Sequence, residues 1–389
     1  MSTAERIARL LLVAAGLASA LLPGSAQASE RDEFQVFGYL TQAYGWSERG
    51  SLRGTTEDGT TDLRNLAIQF RWQRSERDAV VIQLAHERRG NDFLFLDEDE
   101  IDIDWAFYEQ QVGATSEFKI GRLNVPLGIY NEIRDVGTLL PFFDLPVSFY
   151  VGVLSSAETV DGASFAHTFL PRSDWDIEAT VYFGGWKTFD QRVNLDGRFL
   201  LDNLPARAEN GLGLQLWLNT PAHGTRIGAG YLTWQLESSI SPSSERNRWR
   251  SWHLSLDVAR ERWLLRSELR RWDFEQDLGA FFGGPSFVTD AEREGSYLQA
   301  GGWLTPKLGL FGQWEEISLT NDDRIATLED FHCDLALSVN YRFSTDLMLK
   351  AEFHHSDTFF PLGIGEPPPG PNQMANQVDW AIIGLSLDF

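Results

Sequence analysis

The chain of 389 residues contains a single cysteine, Cys333, so no disulfide can close within it. A lone thiol also leaves no zinc cluster or redox pair to consider. Basic residues are scarce: 33 Lys and Arg stand against 56 Asp and Glu, a formal net charge of −23. That balance argues against nucleic acid as a partner. Beyond the first thirty residues no apolar run approaches the roughly 20 residues a membrane-crossing helix needs. What the chain has in quantity is aromatic side chains and glycine, with 26 Phe, 14 Trp, 9 Tyr and 34 Gly. The N-terminus reads separately. Arg6 and Arg9 precede an apolar run from Leu10 to Leu22, and Ala26-Gln27-Ala28 has the small residues of a cleavage site. This predicts a signal peptide over residues 1–28 and export of residues 29–389 across the inner membrane of a Gram-negative cell.

The stretch from Gln377 to Phe389, QVDWAIIGLSLDF, alternates two residues at a time. Ala381, Ile383, Leu385, Leu387 and Phe389 share one face, which is the period of a β-strand. Similar runs recur along the whole chain, for example Trp175, Ile177, Ala179, Val181 and Phe183 opposed by Asp176, Glu178, Thr180 and Tyr182. Others place Ile101, Ile103, Trp105 and Phe107 on one face against Asp102 and Asp104. Counting them gives about sixteen strands. Their connections alternate between short ones, such as Gln73–Asp78 and Ser344–Asp346, and long ones, such as Lys187–Glu209 and Asp273–Gly295. Short turns at one rim and long loops at the other predict an all-β, up-and-down antiparallel transmembrane barrel, with short periplasmic turns and long extracellular loops. Trp46, Trp72, Trp105, Trp175 and Trp263 lie near run ends, where an amphipathic ring suits a lipid–water boundary.

One connection differs from the rest. The third long loop, residues 124–158, contains Pro126, Pro141, Pro146 and a cluster of Phe142, Phe143, Leu145, Phe149 and Tyr150. It is too apolar to wave in water and needs a surface to pack on. Over Phe118–Phe143 the chain resembles the bacterial outer-membrane porins, in which a Gly-Arg pair on a strand precedes a loop with a Leu-Pro-Glu-Phe motif. Here the corresponding segments read FKIGR and RDVGTLLPFF, with Phe142 in place of the acidic residue. The stretch PLGIYNEIRDV also looks like phosphate-selective porin-like proteins. The resemblance implies passive diffusion of small hydrophilic solutes or ions through a homotrimer, with no cofactor and no catalysis. It also implies that loop 124–158 folds into the barrel as a constriction. Asn131, Glu132, Arg134, Asp135 and Asp144 would then border the aperture, facing Arg122, Arg266, Glu268 and Arg270. Strand parity groups Arg122 with Phe118 and Ile120, so its inward placement requires a bulge near Gly121.

Other polar residues project inward by the same parity, including Arg71, Asp334, Arg342, Lys350, Glu352 and His354, and opposed rings of charge would select solutes by sign. The bland alternative is that they pair with one another. His354-His355-Ser356-Asp357 raises an outer-membrane hydrolase acting on lipid as an alternative function, although adjacent histidines on a strand face opposite sides. A structural or adhesive barrel with a plugged lumen is another. The acidic run Asp97–Glu100 is expected at the outer rim, facing lipopolysaccharide, where divalent cations could bridge the two.

Overall fold

The computed structural model describes residues 33–90, 101–150, 159–169, 174–192, 202–238, 248–277, 288–321, 328–359, 362 and 376–389. The expected signal peptide, the Asp97–Glu100 run and residues 151–158 of the third long loop lie outside them. The described residues form a closed barrel of sixteen strands in which each strand pairs antiparallel with its sequence neighbours and the last pairs with the first. The strands are β1 (Glu33–Ser47), β2 (Thr60–Ser75), β3 (Asp78–Arg89), β4 (Asp102–Val112), β5 (Ser116–Asn124), β6 (Thr159–Phe169), β7 (Asp176–Arg192) and β8 (Asp202–Asn219). They continue as β9 (Thr225–Ser238), β10 (Arg248–Ala259), β11 (Trp263–Asp277), β12 (Val288–Trp303), β13 (Leu308–Asn321), β14 (Leu328–Arg342), β15 (Leu347–Thr358) and β16 (Asn376–Asp388).

Closure gives every strand two partners, which the low-dielectric bilayer interior demands of any spanning backbone. At the seam, Gly38 and Phe389 exchange backbone bonds of 2.9 and 3.0 Å. The Phe389 ring fills the space where a side chain on residue 38 would stand, so a larger residue there would have to turn the ring aside.

Alternation decides the two faces. On β14, Leu335, Leu337 and Val339 are exposed while Asp334, Ala336, Ser338 and Asn340 are buried. On β16, Ile383, Leu385 and Leu387 are exposed while Ile382 and Ser386 are buried. An exposed apolar belt around a buried polar interior inverts the soluble arrangement and is what a lipid surround selects. Trp46, Trp72, Trp175 and Trp263 stand outward at the edges of this belt.

Trp105 does not. Between β3 and β4 the register slips, with Gln83 opposite Trp105 and Leu84 opposite Ile103, so Asp104 is the extra residue of a bulge. The bulge reverses the parity of the residues beyond it on β4. Ile103 faces out, whereas Trp105 is buried and Phe107 packs against the interior cluster. Several expected loops are also shorter than the pattern implied. The strands β7, β8, β11 and β12 run well into Lys187–Glu209 and Asp273–Gly295. Beyond the apolar belt a hairpin keeps its ladder without apolar alternation, so the period fades before the strand ends.

Candidate functional site: the loop inside the barrel

Residues 125–150 pass through the barrel interior and touch walls on opposite sides. Their regular structure is limited to two 3-10 turns, Asn131–Ile133 and Gly137–Leu139, and one helical turn, Val147–Tyr150. Most of the backbone N–H and C=O groups in such a segment have no partner within it, and at this depth little water is available to supply one. The wall supplies them. Arg270 Nη1 donates to the Phe149 carbonyl at 3.0 Å, and Arg293 to Val147 O at 3.2 Å. Asn340 donates to Pro141 O and Lys350 to Phe142 O, both at 3.0 Å. In the other direction, Glu268 accepts from Ile129 N at 3.0 Å, Glu315 from Ser148 N at 2.9 Å and Glu352 from Phe143 N at 2.6 Å. The division is chemical: cationic and amide side chains meet loop carbonyls, and carboxylates meet loop N–H groups.

Glu268 is the densest of these anchors. Its two oxygens also accept from Ser255 at 2.5 Å, from Tyr297 at 2.7 Å and from Tyr150. Tyr150 Oη in turn accepts from Ile129 N and Tyr130 N at 2.9 and 2.8 Å. Tyr130 is held by Arg266, whose Nη1 donates to it at 2.9 Å while the guanidinium lies 4.9 Å from its ring centre, and Tyr130 itself donates to Gln299. Burial dominates the Tyr130 phenol and pushes its pKa up to about 12, against the pull of Arg266, so it stays a neutral donor. Leu127, Ile129, Phe149 and Tyr150 complete this packing with the wall residues Trp186, Trp234, Trp249 and Tyr297.

The opposite side of the loop is tied by two aspartates. Asp135 accepts from Asn65 at 3.1 Å and from Gln83 at 2.8 Å. Asp144 is clamped by Arg89 of β3 and by Arg53 of the first loop, the latter at 3.1 Å. Burial opposes its charge, but the two guanidiniums outweigh burial and hold the carboxyl below its ordinary value. Between this tie and the wall a crevice of about 20 Å³ remains, bordered by Asn65, Glu87, Arg89, Arg134 and Asp135. That is room for little more than one water.

The expected site residues therefore divide. Asn131 is buried, its amide bonded to Val125 O at 2.8 Å and to Asn124 at 3.1 Å, and it receives Arg134 Nη1 at 3.1 Å. Glu132 is solvent-exposed within the ring of the barrel wall. That enclosure pushes its carboxyl up from the ordinary value, against the pull of Lys119 and Arg226. Arg266, Glu268 and Arg270 are loop anchors rather than a row of charges facing the loop across open space. Arg122 is not inside. The β4–β5 register runs unbroken through Gly121, opposite Phe107, and Arg122, opposite Ala106, so no extra residue shifts its parity. It lies on the face of Ile120, bonded to Asp161 at 3.0 Å and to Ile103 O at 2.8 Å. Gly121 takes φ of 136°, and a Cβ there would meet the backbone of Ala106 and Phe107.

The His354 neighbourhood is anchoring too. His354 Nδ1 and Asp334 bond at 2.9 Å, and Ser356 donates to Asp334 instead of to an imidazole, so the three do not form a nucleophilic relay. His355 points the other way, to Asp379 at 2.6 Å. Sequence reasoning missed Tyr297, Gln299, Arg293 and Glu315 as partners of the loop. Their signal was the inward parity of long polar side chains on β12 and β13.

Neither a protein-family model nor a curated protein matches the sequence. The fold does match solved structures. OmpF of Salmonella typhi, in complex with daunomycin, superposes with a TM-score of 0.60 at 10% identity, covering 92% of this chain and 98% of that one. An anion-selective porin from Comamonas acidovorans gives 0.54 at 11% identity, covering 92% and 100%. OmpT, an outer membrane protein of Vibrio cholerae, in a trimer form gives 0.52 at 10% identity, covering 92% and 100%. The fold is that of the bacterial outer-membrane porins.

Proposed function

We propose that this chain is an outer-membrane channel through which small hydrophilic solutes or ions diffuse passively, without cofactor or chemical turnover. The observation that carries the reading is the 125–150 segment pinned across the interior of a closed wall. Below it, Arg71, Glu109, Glu117, Lys119, Glu178 and Arg226 share the inward parity of their strands and keep contact with water. Glu132 reaches towards Lys119 and Arg226 from the loop side. The path we infer runs along β2–β9, bordered by Glu132, Arg134 and Asp135, while Asn131 and Asp144 hold the loop's shape. Oligomerisation as a trimer fits the same reading and the trimer form of OmpT.

The second reading is a plugged structural barrel, which the narrowness of the crevice at Asp135 favours. Planar-bilayer recording of the purified protein separates the two. Stable conductance steps that grow when Gly137–Asp144 is deleted support the channel. A silent wild type that conducts only after the deletion supports the plug. Unchanged conductance after deletion would remove the loop from the path.

A further inference from the structure

The lumen holds two places where an arginine lies flat on a tryptophan, and they differ in one respect. On the path side, Trp217 of β8 rests on Gly228, its register partner on β9, and the Arg226 guanidinium covers the ring at 4.1 Å from its centre. Arg226 Nε is tied to Asp257 at 3.0 Å, so this cation has its counter-ion. Across the short-turn mouth, Trp303 of β12 rests on Gly309, its register partner on β13, and the Arg342 guanidinium covers that ring at 3.9 Å. Among the described residues no carboxylate pairs with Arg342 and no acceptor bonds its guanidinium. Its inward counterparts are all compensated: Arg71 by Glu109, and Arg226 and Arg266 by the Asp257 they share. With 56 acidic residues in the chain against 33 basic ones, an uncompensated arginine is the exception. Beside it Leu264 and Trp303 are only partly buried, packed on the buried Phe142 and Phe311. Their parity turns this apolar surface to the lumen and not to lipid.

We propose that this shelf binds a small aromatic carboxylate at the short-turn mouth of the lumen. Stacking on Trp303 fixes the plane of the guanidinium, so its fork is oriented before a ligand arrives. The ligand's carboxylate takes that fork side by side, in the same plane. Its ring continues over the apolar surface of Leu264 and Trp303, which otherwise faces water. An inorganic anion could not use the apolar surface, and a neutral ring would leave the fork unused. The site deepens the channel reading by naming a solute class, and its role in permeation rests on that reading. Binding itself does not need an open path.

The test titrates para-fluorobenzoate into the full chain folded in detergent and follows the fluorine resonance by NMR. Heat-modifiable mobility checks that each variant is folded. Saturable binding is expected, and Arg342→Gln should weaken it roughly 20-fold through loss of the charge-assisted pair. Trp303→Leu keeps apolar surface but removes the ring beneath the guanidinium, and should weaken it about 3-fold. Arg342→Lys restores the charge without the planar fork and should recover only part of the affinity. Unchanged binding in Arg342→Gln overturns the proposal. So does para-fluorobenzamide binding as tightly as the acid, or displacement by equimolar sulfate, which marks a free-anion site. Planar-bilayer recording keeps the two readings apart. Conductance steps without para-fluorobenzoate binding overturn this site and leave the channel. Binding by a silent barrel upholds the site and removes the channel.

Discussion

The two halves of the barrel's inner wall are both polar, yet they do different work. Along β10–β15 the inward side chains, among them Glu268, Arg270, Arg293, Glu315, Lys350 and Glu352, are buried under the loop. Each is matched to a backbone group or a tyrosine of that loop. Along β2–β9 Arg71, Lys119, Glu178 and Arg226 have the same parity and the same residue types but keep their water. Charge on a barrel wall is therefore not by itself a selectivity device. Where an irregular segment is folded against it, the charge serves as the hydrogen-bond partner that solvent would otherwise be.

The sharpest way to break this comparison is to remove a dry charge and a wet one. Glu268→Ala leaves Tyr150, Tyr297 and Ser255 without their acceptor and takes one of two acceptors from the Ile129 N–H, and should cost about 3–5 kcal/mol, at about 1–3 kcal/mol for each buried donor left unsatisfied. Glu178→Ala should stay within about 0.5 kcal/mol. Denaturant titration in lipid vesicles measures both, and equal effects would erase the distinction between the two walls. Next in size is inside against outside. Leu337→Arg on the lipid face should cost about 2–4 kcal/mol, whereas Glu178→Arg on the wet wall should insert normally. Gln215 would be a poor control for that experiment, because it is buried, bonds His253 at 2.8 Å and faces Gly128 N at 3.4 Å.

A smaller effect, about 1–3 kcal/mol, is expected for Asp144→Asn, which weakens the clamp between the first and third loops. The carboxyl of Asp144 is held below its ordinary 3.8, so the clamp is fully present above that pH. It is lost only as the pH falls further, through the lowered value. Protease nicking of the loop should show this acid step in the wild type and not in the variant. Smallest in stability, and most informative about the wet wall, is Glu132→Gln. It should leave folding within about 0.5 kcal/mol and move the reversal potential towards anions. Because enclosure raises the Glu132 carboxyl above its ordinary 4.5, the wild type should begin the same shift above that pH as the solution is acidified.

Much of this was legible in the sequence because a lipid surround writes a strict code. One face of Trp175–Phe183 or Leu335–Tyr341 is apolar without exception, and sixteen such stretches with alternating loop lengths leave few other architectures. The code fails where its cause fails. At Asp104 one inserted residue reverses the parity of Trp105 and Phe107, and a bulge has no signature in alternation. Past the belt, β7 and β8 continue without a lipid face and so without a period. The third loop was visible as an apolar segment that had to be packed. Its partners were not, since parity says that Arg270 points inward but not that Phe149 O waits there. Arg122 shows the opposite case: its parity with Ile120 was informative, and the motif resemblance pointed the wrong way.

The Asp104 bulge also bears on how such a ring comes apart. A closed barrel has no end to fray, so unfolding must begin by tearing one seam along its length. On its far side β4 meets β5 only from Ala106–Arg122 to Val112–Ser116, and on its near side the bulge interrupts the ladder to β3. Tension on the cylinder would thus concentrate on β4, and the tear would start beside Asn124, where the third loop leaves the wall. The strand that launches the loop into the interior, β5, therefore has this weakly stitched strand as its neighbour on one side.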